Sequence, residues 1–326
     1  MEFGIELTPN VKFYEIEFYA KVAEDNCFSY VWVTDHYNNR NAFIILTILA
    51  KATQRVKIGT GITNPFHINP AVIASAIATI NEISNGRAIL GIGAGDKFTL
   101  EKIGIRRKKP LTCVKEAVQI IRRLLNGETV RFDGEIFRFN EAKLTFKSGN
   151  VPIYIGAQGP RMLKLASEIG DGVIINASHP KDVKLALKNL NAREGFDIAV
   201  CSAFSIDRNR DTAIQNAKVV VAFIVTSCPN DVLDRHGIDE EAVNAVRKAL
   251  NDAFAKGNWK ELEKAVTDEM VEAFSISGTS DEVMDRIEEL KRLGITQLIV
   301  GSPIGKDKAK AIKLIGREII QRFRLS

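Results

Sequence analysis

The chain has 326 residues, is 45% hydrophobic and carries a formal net charge of +5 spread without blocks. That is ample for a large core, and so mild a charge suits anionic small molecules and does not argue for nucleic acid. No apolar run nears the ~18 residues of a membrane span, and strand-like sequence begins almost at Met1, so a cytoplasmic protein is expected. The four cysteines (Cys27, Cys113, Cys201, Cys228) are widely spaced with no C-x-x-C pair, which fits a reduced compartment.

In chain order, strand-like and helix-like segments alternate. Residues 3–7 predict a strand and 11–25 a helix. Residues 30–34 and 42–53 repeat the pair. A third strand, 56–60, leads to a helix over 70–83 with Asn69 as N-cap, Pro70 at the first position and Gly86 beyond the end. Residues 88–93 predict a fourth strand and 111–126 a helix. The series then pauses. Residues 129–132 and 135–139 alternate apolar and polar around Asp133-Gly134, a hairpin signal and an expected insertion over 128–150. Strands at 152–155, 172–175, 198–204 and 297–300 follow, with helices from Pro160, Pro180, about 211 and about 306. Residues 226–292 read as a helical insertion. Eight such units predict a parallel sheet and an α/β fold, a (β/α)8 TIM barrel with insertions in one domain. A doubly wound sheet is the rival, but its G-x-G-x-x-G is missing from the first unit.

Barrel active sites gather where strands run out. Glu6 interrupts the first strand; by alternation it faces the mouth with Gly4, where desolvation favours a proton donor. An outward or ion-paired Glu6 is the competing reading. Asp35-His36 ends the second strand and offers acid–base or hydrogen-bonding groups. The four histidines (His36, His67, His179, His236) show no ligand spacing, so no metal is expected. After the third strand, Gly59-Thr60-Gly61-Ile62-Thr63-Asn64-Pro65 breaks the pattern; glycines there predict a bulge toward a flat object or an ordinary turn. Asp96 follows the fourth strand as a site acid or a helix cap. Gly156-Ala157-Gln158-Gly159-Pro160 opens a helix whose N–H groups suit a phosphate, with Arg161 nearby. Asn176-Ala177-Ser178 forms a small polar edge.

At these motifs the chain resembles the coenzyme F420-dependent 5,10-methylenetetrahydromethanopterin reductases of methanogenic archaea, in the luciferase-like barrel superfamily. The resemblance rests on residues 34–41, 61–65, 74–79, 90–93, 95–97, 156–160, 175–178, 221–224, 235–237, 272–275 and 301–305. It implies a luciferase-like barrel that binds the deazaflavin F420 and, in methanogenesis, reduces 5,10-methylenetetrahydromethanopterin to 5-methyltetrahydromethanopterin. It further implies ring and tail contacts at Asp35, His36, Gly61, Ile62, Gln158, Gly159, Asn176, Ala177 and Ser178, and a cis peptide at Gly61-Ile62. Glu6 and Asp96 match acidic positions beside the pterin. Homodimers or homotetramers are the implied state, with neither nucleic acid nor membrane as partner. Thr60 and Ala94 depart from expected prolines, and residues 66–70 replace a stretch carrying arginine and serine. The alternatives are another F420-dependent oxidoreductase, of alcohols or sugar phosphates with His36 as base, and a non-catalytic deazaflavin-binding protein.

Overall fold

The computed structural model describes residues 1–325. Its strands are β1 (Glu2–Leu7), β2 (Tyr30–Val33), β3 (Lys57–Thr60), β4 (Ala88–Gly93), β5 (Val130–Asp133), β6 (Arg138–Ala142), β7 (Ile153–Gly156), β8 (Gly172–Asn176), β9 (Asp197–Ile206), β10 (Ser275–Gly278) and β11 (Gln297–Ile304). Without the β5–β6 hairpin and β10, eight strands alternate with helices, the (β/α)8 series expected. The chain forms two compact units. One comprises Glu2–Asn176 and Ala186–Ala199; the other comprises Ala177–Leu185 and most of the chain from Val200.

In the first unit the strand order is β1-β2-β3-β4-β7-β8, parallel at every step. The register sets Gly4 beside Tyr30 and Glu6 beside Trp32, and Trp32 beside Gly59. Residues paired this way point to one side of the sheet. That side is filled by aromatic rings: Tyr30 stacks parallel to Trp32 at 6.1 Å, and Trp32 meets Tyr154 at 5.5 Å. A Cβ on Gly59 would fall 2.9 Å from the Trp32 ring, and one on Gly61 would fall 2.9 Å from Trp32 Cβ. The glycines of the third strand thus make room for the indole.

The helix Pro70–Ile83 begins as its sequence dictates: Asn69 caps it, accepting from the Ala71 N–H, and Pro70 stands at its start. The hairpin forms, but its turn differs from the expected two-residue Asp-Gly turn. Asp133 pairs with Arg138, which leaves residues 134–137 as the loop. The reason lies on another element. The Glu116 carboxylate, on the helix Pro110–Leu125, accepts the N–H groups of Glu135, Ile136 and Phe137 at 2.8–3.0 Å. A buried carboxylate that satisfies three backbone donors outweighs the local preference for a tight turn.

In the second unit, β9 lies between β10 and β11, with β10 parallel to β9. The segment 226–292, expected to be helical throughout, therefore contains a strand. The helices Arg210–Ser227, Glu240–Lys256, Trp259–Ala265 and Asp268–Phe274 share an apolar core that includes Val221, Val246, Leu262 and Val271.

Candidate active site

The bulge expected after β3 is present and can be counted. Gly59 pairs with Ile89, yet Thr63 bridges Ile92, so this edge carries one residue more than its neighbour. Thr60 repairs the gap: its hydroxyl donates to the Gly91 carbonyl at 2.7 Å and accepts the Gly91 N–H at 3.0 Å. Backbone pairing resumes with Thr63 N–H on the Gly91 carbonyl and Gly93 N–H on the Thr63 carbonyl. Between them stand Gly61 and Ile62, joined by a cis peptide bond and both partly exposed.

The Ile62 side chain occupies a notch made by glycines on the next two strands. A Cβ on Gly93 would lie 2.4 Å from Ile62 Cδ1, and one on Gly156 would lie 2.2 Å from it. On Gly91 a Cβ would lie 2.0 Å from the Thr60 carbonyl oxygen. A side chain at Gly91 would displace the bulge backbone, and one at Gly93 or Gly156 would displace the Ile62 side chain.

Asp35 follows β2, is 9% exposed, and accepts the Thr63 hydroxyl on Oδ2 at 2.6 Å. His67 Nε2 lies 3.5 Å from the same oxygen, and His67 Nδ1 lies 2.9 Å from Asn64 Oδ1. Asp35, His36 and Asp96 line one cleft together with Tyr37, Asn64, His67 and Thr99. Of the residues the sequence singled out, the structure brings these three together. His67 and Asn64 were missed as site residues; Asn64 sits in the matched motif 61–65 and His67 in the departing stretch 66–70, and neither carried a signal of its own. Asp96 also caps the short helix Lys97–Lys102, accepting the Thr99 N–H at 2.6 Å, so the capping reading and the cleft position are both realised.

Glu6 is partly buried and shares its side of the sheet with Gly4 and Trp32. Gln158 and Gly159 are exposed. Gln158 Nε2 donates to the Asn176 carbonyl at 3.5 Å, joining two predicted contacts. Gly159 is the N-cap of the helix Pro160–Ile169, and a Cβ there would meet nothing within 4 Å. Pro160 carries no N–H, and the Met162 and Leu163 N–H groups donate to the Gly159 carbonyl, so the Arg161 N–H is the one that the first turn can offer an anion. Ala177 and Ser178 are fixed within the second unit: Ala177 N–H donates to the Cys201 carbonyl, and the Ser178 hydroxyl donates to the Phe274 carbonyl at 2.9 Å. The Ser178 hydroxyl hydrogen is thus already committed.

A (β/α)8 series whose third strand bulges over glycines, beside an open helix N-terminus, defines a barrel enzyme suited to a planar ring with a phosphate-bearing tail. The luciferase-like monooxygenase family profile matches residues 1–297. A 5,10-methylenetetrahydromethanopterin reductase of Archaeoglobus fulgidus is 58% identical, over 99% of this chain and 100% of that protein. The solved structure of the coenzyme F420-dependent tetrahydromethanopterin reductase from Methanopyrus kandleri superposes with a TM-score of 0.92 at 42% identity, over 99% of each chain. An F420-dependent secondary alcohol dehydrogenase shares the fold at a TM-score of 0.76 and 22% identity, over 98% of each chain. The chain belongs to the luciferase-like family and, within it, to the family of the 5,10-methylenetetrahydromethanopterin reductases. Its fold is the (β/α)8 barrel expected from the sequence.

Proposed function

We infer that the protein is a coenzyme F420-dependent oxidoreductase that reduces 5,10-methylenetetrahydromethanopterin to 5-methyltetrahydromethanopterin. The observation that carries this is the end-to-end likeness, at 58% identity, to a reductase of that name. The residues fit the cofactor. Gly91, Gly93 and Gly156 leave the notch that turns the Gly61–Ile62 peptide toward a ring, and Gly159 leaves the helix N-terminus open for a phosphate. Reduced F420, when bound, supplies a hydride in a single two-electron step.

Ring opening of the methylene bridge breaks a carbon–nitrogen bond and requires a proton on the departing nitrogen. Glu6 is assigned that proton, directly or through one water. Its inward place beside Trp32 supports the role. Asp96 is assigned the pterin side, where its charge opposes the developing iminium. Asp35, His36, Gly61, Ile62, Gln158, Gly159, Asn176, Ala177 and Ser178 are assigned to the cofactor. The alcohol dehydrogenase shares the fold at 22% identity only, so the pterin reaction is preferred. The same reading has the enzyme working in the cytoplasm as a homodimer or homotetramer; no helix among the described residues is long and apolar enough to cross a membrane.

The test mixes purified protein anaerobically with reduced F420 and methylenetetrahydromethanopterin and follows the absorbance of oxidised F420. Absorbance should rise only with both present; a flat trace refutes the assignment. In the same assay Glu6→Gln should keep F420 binding and lose about 100-fold or more in kcat. Near-normal turnover would remove Glu6 as the acid.

A further inference from the structure

The bulge after β3 is tied to the neighbouring strand at both ends through a single residue. The Thr60 hydroxyl donates to the Gly91 carbonyl at 2.7 Å, and the Thr63 N–H donates to the same oxygen at 2.9 Å. A carbonyl oxygen has two lone pairs, so both ties hold at once. Gly61 and Ile62 stand between them. The Thr60 hydroxyl also accepts the Gly91 N–H at 3.0 Å. Thr60 is 0% exposed and Gly91 is buried, so solvent does not replace that bond. In an unbroken parallel ladder a backbone carbonyl of the third strand takes such an N–H. The extra residue of the bulge displaces that carbonyl, and the hydroxyl stands in its place. A side chain at position 60 without an oxygen leaves a buried donor unpaired. Pairing it again requires the third strand to shift toward a regular register, which moves Gly61 and Ile62.

We propose that Thr60 is a positioning residue for the cofactor: its hydroxyl replaces the ladder bonding lost at the bulge and so sets where Gly61 and Ile62 meet the ring of F420. The role rests on the F420 reading. Thr60 is buried and does not itself reach the ligand; it acts through the two partly exposed residues that follow it. The Gly61 N–H donates to the Val33 carbonyl at 2.8 Å, which holds the segment on its β2 side. The Thr60 hydroxyl holds it on the β4 side. The residue type follows from this. Position 60 needs a short side chain with an oxygen on Cβ that donates and accepts at once, which threonine and serine supply. Valine has the shape of threonine and neither function.

Two variants divide the side chain. Thr60→Val keeps the shape and removes the hydroxyl; Thr60→Ser keeps the hydroxyl and removes the methyl group. F420 affinity, read by titrating the deazaflavin fluorescence with folded protein, should weaken about tenfold or more in Thr60→Val. Thr60→Ser should stay within about threefold of wild type. The KM for the pterin, measured at saturating F420, should move less than about twofold in both. A hydroxyl that only stabilises the fold would lower the urea midpoint of Thr60→Val and leave the F420 affinity of the folded protein unchanged. That result overturns the proposal. So do equal affinity losses in the two variants, or a pterin KM that rises in step with the loss for F420. Should Thr60→Val not fold, Thr60→Cys takes its place, since a thiol donates and accepts only weakly. A loss of F420 affinity there supports the role, and wild-type affinity overturns it. Failure of the wild-type protein to bind F420 overturns the cofactor reading and this role with it, and is distinguished because it precedes any substitution.

Discussion

The molecule holds two aspartate–histidine pairs, built to opposite specifications. Asp182 and His236 lie 2.7 Å apart, with the histidine side chain 5% exposed. Arg235 donates to the other oxygen of Asp182, and the His236 ring packs edge-on against Phe274 and His179. Both oxygens of Asp182 therefore have a charged or imidazole partner. Asp35 and His67 lie 3.5 Å apart, with the histidine side chain 18% exposed, in a cleft at the strand ends. The first pair ties the helix Pro180–Leu187 to the end of the helix Asn230–Arg235. The second is only partly satisfied and lines a narrow cleft. A complete buried network rigidifies, whereas an incomplete one at a strand end is where a ligand finds its partners.

Exchanging the same substitution between the pairs breaks or sharpens that contrast, and here the largest effects are expected. Asp35→Ala should reduce kcat/KM for F420 by about tenfold to a hundredfold and, by stranding the buried Thr63 hydroxyl, cost about 1 kcal/mol of stability, less than the exchange in the other pair. Asp182→Ala strands a buried histidine and a mostly buried guanidinium. It should cost about 2–4 kcal/mol of stability, below the figure for a fully buried pair because Arg235 keeps some solvent. Urea unfolding and steady-state kinetics on both proteins make the comparison. If Asp35→Ala lost as much stability as Asp182→Ala, the two pairs would be alike and the contrast would be wrong.

The sequence made much of this legible for identifiable reasons. The helix Pro70–Ile83 could be read to the residue because Asn69 and Pro70 are local signals. The third-strand bulge was legible because glycine and proline punctuate the chain. Asp96 was legible as a helix cap, but the helix Lys97–Lys102 it starts is too short to show a period of its own. Strand β10, Ser-Ile-Ser-Gly, has too short a pattern to announce itself; its pairing with residues of β9 some seventy positions earlier holds it. The hairpin turn depended on Glu116, and the Asp35–His67 contact on residues from two different strand ends. Long-range partners leave no trace in local periodicity, and β10, the hairpin turn and the Asp35–His67 contact were all of that kind.

The smallest effect, and the one that probes the satisfied pair most finely, concerns His179. Burial, then the charge of Arg286 and the neighbouring His236, push its imidazole down to about 4. The ring is therefore neutral in the folded protein down to that pH, while in the unfolded chain it takes up a proton near ~6.5. Between those limits the unfolded state binds more protons. Stability must then fall as pH drops through this window and rise as pH climbs. His179→Asn removes the titration yet keeps an acceptor for the Lys181 N–H that Nδ1 now serves at 3.1 Å. Urea midpoints of both proteins, measured from pH 7 to pH 4, should converge toward neutrality at one end and separate at the other, with the variant losing less on acidification. Parallel curves would mean that His179 takes its proton as readily folded as unfolded. The surroundings of the Asp182–His236 pair would then be open to water, contrary to the closed packing that sets it apart from Asp35–His67.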